Sequence, residues 1–275
     1  MTVQLVTDEK IAETSSKGNQ EKWYDNSSDM WYKVDQFGYE ALSEVVTSQI
    51  LELSNIEQDT PFTFVRYYPQ RLIVHKRERT VCVSKNFLKK SESIVTISHL
   101  LNKELGSPLK DKLLSLSSDK KRIAYLADTT AEITRLHDFG KYLTILFEID
   151  SLVLNDDRHL NNIAVIEEEG KFSYCPIFDN GAGLLSNVQM SPMDIMPNTL
   201  MSALRARPFI TGFTRQMNSA RSLYGNQLHL PELNRNQIKE ILEPLLEFYA
   251  QRDRSIISDR VCECILTRQK LLKNG

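Results

Sequence analysis

The chain of 275 residues is short of long apolar runs. No segment approaches the roughly 20 apolar residues that a membrane span needs. Residues 142–147 (YLTILF) are typical, and Glu148 and Asp150 follow at once. The N-terminal MTVQLVTDEK has neither a basic n-region nor an apolar h-region, so no signal peptide is expected. Cysteine is scarce: Cys82, Cys175, Cys262 and Cys264. The Cys262-x-Cys264 pair has no second Cys/His pair to complete a metal site, which favours reduced thiols in a cytoplasmic protein. Secretion by a route that needs no signal peptide stays open. Neither charge dominates, with 34 basic against 36 acidic residues. A general nucleic-acid binder shows a basic excess, so no direct nucleic-acid binding is expected.

Several signatures are absent as well. A P-loop requires G-x-x-x-x-G-K-[ST], but Gly140-Lys141 and Gly170-Lys171 are followed by Tyr142 and Phe172. The GAGLLS at 181–186 lacks the third glycine of a dinucleotide fingerprint. There is no H-E-x-x-H, no G-x-S-x-G and no internal repeat.

What is present is an ordinary globular composition, 41% hydrophobic and 25% charged. The length suits one large domain or two lobes. Residues 11–35 alternate turn-forming and aromatic stretches, which predicts a loop, a strand, a turn and a strand. Leu42, Val45, Val46, Ile50 and Leu53 recur at helical spacing. Within 61–90, FTFVRYY, RLIVHK and TVCVSKNFL are rich in β-branched and aromatic residues and read as short strands. Helical spacing then covers 94–105, 119–137, 139–153, 192–204, 214–224, 235–250 and 255–273. One stretch interrupts it: NIAVIEEEGKFSYCPIFDNG reads as a β-hairpin turning near Gly170. The expected fold is α+β and bilobal: a small β-rich lobe over 1–90 and a larger, mostly helical lobe over 91–275.

The chemistry concentrates in NDDRHLNNIAVI, residues 155–166. Asp157 stands five residues before Asn162, at the foot of the hairpin, and Asp179-Asn180-Gly181 follows its second strand. If the strands pair antiparallel, Asn162 and Asp179 meet at one end, with Asp157 in the loop before them. Phosphoryl transfer from ATP needs such an oxygen cluster. Hard Mg²⁺ ions take oxygen ligands, and a further carboxylate orients the acceptor hydroxyl. The protein-kinase catalytic loop spaces its Asp and Asn in the same way, although Asp157-Arg158-His159 runs opposite to the usual His-Arg-Asp order. Each piece alone also serves as turn or cap chemistry. Their joint occurrence favours a metal-nucleotide site.

These residues resemble the HipA-like serine/threonine kinases of bacteria, whose catalytic loop has the form Asn-x-Asp-x-His-x-x-Asn. Here it reads Asn155-Asp156-Asp157-Arg158-His159-Leu160-Asn161-Asn162. The resemblance implies that Asp157 is the catalytic base, that His159 belongs to the catalytic loop, and that Asn162 and Asp179 hold Mg²⁺. Upstream, SSKGNQEKWY resembles the family's Gly-x-Gln-x-Lys loop over the ATP phosphates, through Gly18, Gln20 and Lys22. MWYKVD offers Lys33 as the lysine on the α/β-phosphates, with Glu44 as its carboxylate partner and Glu40 as the alternative. VCVSKNFL resembles the segment joining the lobes, where backbone groups from Val83 to Lys85 meet the adenine. LRARPFITGFTRQMNSARSLYG resembles a C-terminal segment of the compact members, so the likeness covers most of the chain. The additional N-terminal subdomain of full-length HipA toxins does not fit within this length. The family's autophosphorylated serine in the phosphate loop corresponds to Ser15, with Ser16 adjacent.

Ordinary structural roles remain open for several of these residues. Lys33 suits a solvent-facing strand position, and Glu44 suits an exposed helix position. His159 suits a metal ligand or, better, a brace of the loop by hydrogen bonds to backbone. Arg158 suits a phosphate contact or plain solvation. The expected activity is transfer of the ATP γ-phosphoryl to a protein serine or threonine. A lipid or small-molecule kinase of related fold and a nucleotide-binding pseudokinase are the alternatives.

Overall fold

The computed structural model describes residues 20–274. The chain begins there with β1 (Lys22–Asp25) and β2 (Met30–Val34), an antiparallel pair. The Asp25 carboxylate closes the turn between them by accepting from the Ser27 amide at 2.9 Å. After β2 comes helix α1 (Glu40–Leu51), then the single turn α2 (Ile56–Asp59). Strands β3 (Tyr68–Val74) and β4 (Arg77–Lys85) complete a four-stranded sheet of order β1-β2-β4-β3. Their two-residue turn has His75 and Lys76 both at positive φ, the backbone sense that matches strand twist.

The register divides this sheet into two chemical faces. Trp23 pairs with Tyr32 and Tyr32 with Val83, and these join Val34, Val74 and Val81 in a small buried cluster. On the opposite face Lys22 pairs with Lys33 and Lys33 with Cys82. Alternation along each strand forces this split.

The second sheet was only two-thirds legible. The expected hairpin is there, as β6 (Ala164–Glu168) and β7 (Lys171–Tyr174), turning at Glu169 and Gly170. A third strand, β5 (Ser93–Thr96), pairs with β6. It occupies the start of the segment expected to be helical from 94. The β-branched Ile94, Val95 and Thr96 account for the strand. Thr96 then caps α3 (Ile97–Leu105) by accepting from the His99 amide.

The remaining helices are α4 (Leu109–Ser115), α5 (Asp119–Thr134), α6 (Phe139–Val153), α7 (Pro197–Ala203), α8 (Phe213–Tyr224), α9 (Arg235–Leu246) and α10 (Gln251–Asn274). Helix α4 had no counterpart in the sequence reading. Helix α7 is shorter than expected, since Pro197 sets its start. The expected strand FTFVRYY, residues 62–68, reduces to one bridge, Phe64 to Ile177, and its last residue, Tyr68, opens β3.

Helix α6 is buried along nearly its whole length because it lies at the centre, against α5, α8 and α10. Helix α1 is almost wholly buried and contributes Leu42, Val45, Val46 and Ile50 to the same core. The main core therefore runs without interruption from the helix beneath the first sheet into the helical body. All four cysteines are buried and free. Among the described residues no helix is long and apolar enough to cross a membrane.

Candidate active site

Lys33 projects from the inner face of β2 and is buried. Its Nζ lies 2.5 Å from Glu44 Oε1 and 2.7 Å from Asp179 Oδ1. Glu44 sits in the second turn of α1 and is fully buried. Its other oxygen accepts from the Asn180 amide at 2.8 Å. One lysine thus joins the sheet, helix α1 and the segment after the hairpin. Of the two glutamates considered, the structure selects Glu44. Glu40 instead accepts from the backbone amides of Gln36, Phe37 and Gly38. Gly38 is required there, since an added Cβ would stand 2.0 Å from the Ser186 carbonyl oxygen.

Charge is deliberately unbalanced across β1 and β2. Lys22 and Lys33 are directly opposed, and like charges so placed repel. Burial and the Lys33 charge push the Lys22 pKa down, with Asp179 opposing. Burial also works against the Lys33 charge, but Asp179 and Glu44 outweigh it and hold that ammonium protonated. Burial alone would raise the Asp179 pKa. The charges of Lys22, Lys33 and Arg158 reverse this and keep it ionised.

Asp179 does not end a strand. Strand β7 stops at Tyr174, and Asp179 follows five residues later with φ at 65°. A non-glycine residue there is uncommon, and such strain concentrates at functional sites. Nor do Asn162 and Asp179 meet by strand pairing. Arg158 brings their segments together. Its side chain is fully buried, with Nε 3.1 Å from Asp150 Oδ1 and Nη1 2.7 Å from the Phe178 carbonyl. The same Nη1 reaches the Asn162 carbonyl at 3.3 Å, and Nη2 meets Asn180 Oδ1 at 2.6 Å. Arg158 is therefore neither solvated nor a phosphate contact. It is a framework cation with partners on three segments. The planar, five-donor guanidinium is the side chain suited to this task.

The loop itself is pinned by amides. The Asn155 side chain donates to the Asp179 carbonyl at 3.1 Å and accepts from the Asp157 amide at 3.2 Å. Asn162 Nδ2 donates to the Asp157 carbonyl at 2.8 Å. Asn162 Oδ1 is buried and accepts no hydrogen bond. A buried acceptor without a partner costs about 1–3 kcal/mol, so this atom gains from any electropositive partner. An amide oxygen, like a carboxylate oxygen, is a ligand suited to a hard cation. Among the described residues no group of three His, Cys, Asp or Glu is arranged as metal ligands.

Asp157 presents its carboxylate at the cleft, where its side chain is 57% exposed. Its pKa is raised: desolvation by the cleft walls is the largest influence, His159 opposes, and the Asp179 charge adds. Asp156 is pushed up to about 6 by burial and the adjacent Asp157. His159 contributes mainly through its backbone, donating to the Asp157 carbonyl and accepting from the Asn162 amide, both at 2.8 Å. Its Nδ1 is buried without a partner, and its Nε2 is 3.8 Å from Asp157 Oδ1. The imidazole therefore does not brace the loop as expected.

Two cavities flank the Lys33–Asp179 pair. One of about 300 Å³ includes Gln20, Lys22, Asp157, Asp179, Leu204 and Arg207 in its walls. The other, about 60 Å³ and mainly apolar, is bordered by Trp31, Lys33, Ser84, Asn86, Phe87 and Phe178. The stretch from Val83 to Lys85, whose backbone is expected at the adenine, runs beside this second cavity through Ser84, with Asn86 next to it. The Val83 side chain belongs to the cluster on the far face of the sheet. Gln20 and Lys22, expected in the phosphate loop, border the larger cavity, and Gln20 Nε2 donates to the Val34 carbonyl. Gly18 and Ser15 lie outside the described residues. A further cavity of about 270 Å³, bordered by Ile50, Leu152, Arg221 and Leu228, contains none of these groups.

The sequence reading missed Asp150, Asp156, Asn180 and Arg207. Asp150 had a visible signal: a carboxylate in the mainly apolar 142–153 segment, as Glu148 is too, needs a buried cation. Arg207 had none, since sequence alone does not show which loop reaches the cleft.

No protein-family model matches the chain, and no curated protein sequence matches it. Among solved structures, it is similar to the Helicobacter pylori proinflammatory kinase CtkA. The TM-score is 0.62 over 94% of this chain and 93% of that one, at 14% sequence identity. The protein has a kinase-like fold. It also aligns with HipA of Shewanella oneidensis MR-1, solved with HipB and operator DNA, over 100% of this chain and 74% of that one. The identity there is 12% and the TM-score 0.45.

Proposed function

We propose that the protein is an ATP-dependent kinase that phosphorylates serine or threonine in a protein. The observation that carries this reading is the position of Lys33. It holds Glu44 and Asp179 at once, beside a second lysine, Lys22, whose opposition on the sheet favours an anion between or near them. Within this reading Lys22 and Lys33 neutralise ATP phosphates. The apolar cavity at Ser84 and Phe178 takes the adenine.

Asn162 and Asp179 would hold Mg²⁺, and the orphaned Asn162 Oδ1 supports the assignment. The bound metal would supply charge neutralisation at the phosphate oxygens. Asp157 accepts a hydrogen bond from the acceptor hydroxyl and takes its proton. Its raised pKa suits a base, and its exposure leaves it open to an acceptor. Arg158 and Asn155 fix the loop, so positioning is prepaid before substrate binds.

A division near residue 90 belongs to the same proposal. The first part carries Lys22, Lys33 and Glu44, and the second carries Asp157, Asn162 and Asp179. The complete Asp157–Asn162–Asp179 set argues against a pseudokinase, because binding alone needs no base.

The test is calorimetric titration of ATP with and without Mg²⁺. Wild type is expected to bind ATP more tightly with Mg²⁺, and Asn162→Ala and Asp179→Asn to lose that gain. Equal metal dependence in all three proteins would refute the metal assignment.

A further inference from the structure

Arg207 borders the larger cavity, which Lys22 of β1 also borders. It lies near Asp156 and Asp157, and its charge lowers the pKa of both. Its guanidinium is exposed and makes no hydrogen bond or ion pair among the described residues. The contrast with Arg205, two residues earlier, is informative. Arg205 Nη1 is committed to the carbonyls of Ser202, Ala203 and Leu204 at the end of α7.

The backbone that carries Arg207 is firmly built. Ala206 and Thr211 bridge each other, with the Ala206 amide 2.8 Å from the Thr211 carbonyl. The buried Gln216 of α8 donates to the Arg207 carbonyl at 2.6 Å. A fixed backbone thus presents an uncommitted arginine beside the proposed base. Lys33 is committed to Glu44 and Asp179, whereas Arg207 stands beside Asp157 with its hydrogen-bonding fork unused among the described residues.

We propose that Arg207 is a specificity-determining residue, selecting protein acceptors that carry an anionic side chain close to the phosphorylated serine or threonine. The inference rests on the kinase reading above. Arginine binds a carboxylate or a phosphoryl group through its two-pronged fork, so both an acidic and an already phosphorylated neighbour fit. Leu204 and Met190, which also border the cavity, flank this charge with apolar surface. One charge-assisted hydrogen bond corresponds to a preference of about tenfold to hundredfold in kcat/KM.

The test is a positional-scanning library of serine and threonine peptides phosphorylated with Mg·ATP. Glu, phosphoserine, Ala and Lys are compared at each flanking position, using wild type, Arg207→Ala and Arg207→Glu with matched melting temperatures. Wild type is expected to prefer Glu or phosphoserine at one position, and the comparison of those two arms identifies the anion. Arg207→Ala loses the preference, and Arg207→Glu turns it toward Lys. Phosphorylation by wild type without an anionic preference overturns the proposal and leaves the kinase reading intact. A uniform fall in rate for Arg207→Ala with an unchanged preference also overturns it. Wild type that phosphorylates no peptide, but does phosphorylate a lipid or a small alcohol, overturns both the proposal and the protein-kinase reading.

Discussion

Lys33 Nζ and Glu44 Oε1 are 2.5 Å apart, a buried ion pair between the inner face of a sheet strand and helix α1. The other Glu44 oxygen receives the Asn180 amide, next to the Asp179 that Lys33 also holds. The pair therefore sets the position of the lysine against the Asp179 carboxylate. Glu44→Gln keeps the shape and the contact to Asn180 but removes the charge. We expect kcat/KM for ATP to fall about tenfold to hundredfold, the worth of a hydrogen bond to a charged group. Steady-state kinetics at varied ATP checks this. A Glu44→Gln enzyme with the wild-type kcat/KM would remove the pair from the account.

Arg158 is predicted to be the residue on which the fold of the site depends most. Arg158→Met leaves Asp150 buried without its cation and releases the Asn162 and Phe178 carbonyls. Breaking a buried pair from one side costs about 3–5 kcal/mol, which urea unfolding would register as a lower midpoint. The double variant Asp150→Leu with Arg158→Met should recover only part of the stability: no charge is then stranded, but the Asn162 and Phe178 carbonyls stay unpaired. It should not recover turnover, because the loop has lost its framework. An Arg158→Met protein as stable as wild type would contradict this role.

Asp156 gives a pH-dependent prediction. Its folded pKa is raised from 3.8 to about 6 by burial and by Asp157. The folded state therefore holds the Asp156 proton more tightly than the unfolded chain does. Its contribution to stability is greatest below the unfolded value, and it declines as pH rises through the window to about 6. Above that window the deficit is constant. Asp156→Asn removes the titration, so it should be more stable than wild type at pH 7.5, with the advantage disappearing near pH 3.5. Chemical denaturation at the two pH values checks the sign. A wild-type advantage at pH 7.5 would show that Asp156 is stabilised by its neighbours as a carboxylate.

Autophosphorylation is proposed at Ser15. Wild type incubated with Mg·ATP should carry phosphate on the peptide containing Ser15, and Ser15→Ala should not. Peptide mapping by mass spectrometry decides it. An active wild-type enzyme with Ser15 unmodified would place the modification elsewhere or remove it.

Much of the site was legible because its residues are local in sequence. Asp157 and Asn162 sit on one loop, and the hairpin that follows has a clear alternating pattern. Lys33 and Glu44 were legible as candidates, but which glutamate pairs with the lysine depends on how α1 rolls against the sheet. What stayed hidden was long-range. Arg158 looks like any polar residue of a turn until Phe178 and Asn180 arrive to meet it, twenty and twenty-two residues later. Strand β5 was hidden because SIVT runs directly into a helical pattern, and only pairing with β6 fixes its state. Tertiary contact overrode local pattern in that case.

The most direct test of the central claim is transfer of label from γ-labelled ATP, with Mg²⁺, to the protein itself and to a mixture of cellular proteins. Wild type would be compared with Asp157→Ala. The account predicts label on serine or threonine with wild type and none with the variant, while both still bind Mg·ATP. Label at equal rates with both would contradict Asp157 as the base. Nucleotide binding without transfer by wild type to any protein acceptor would contradict the protein-kinase reading.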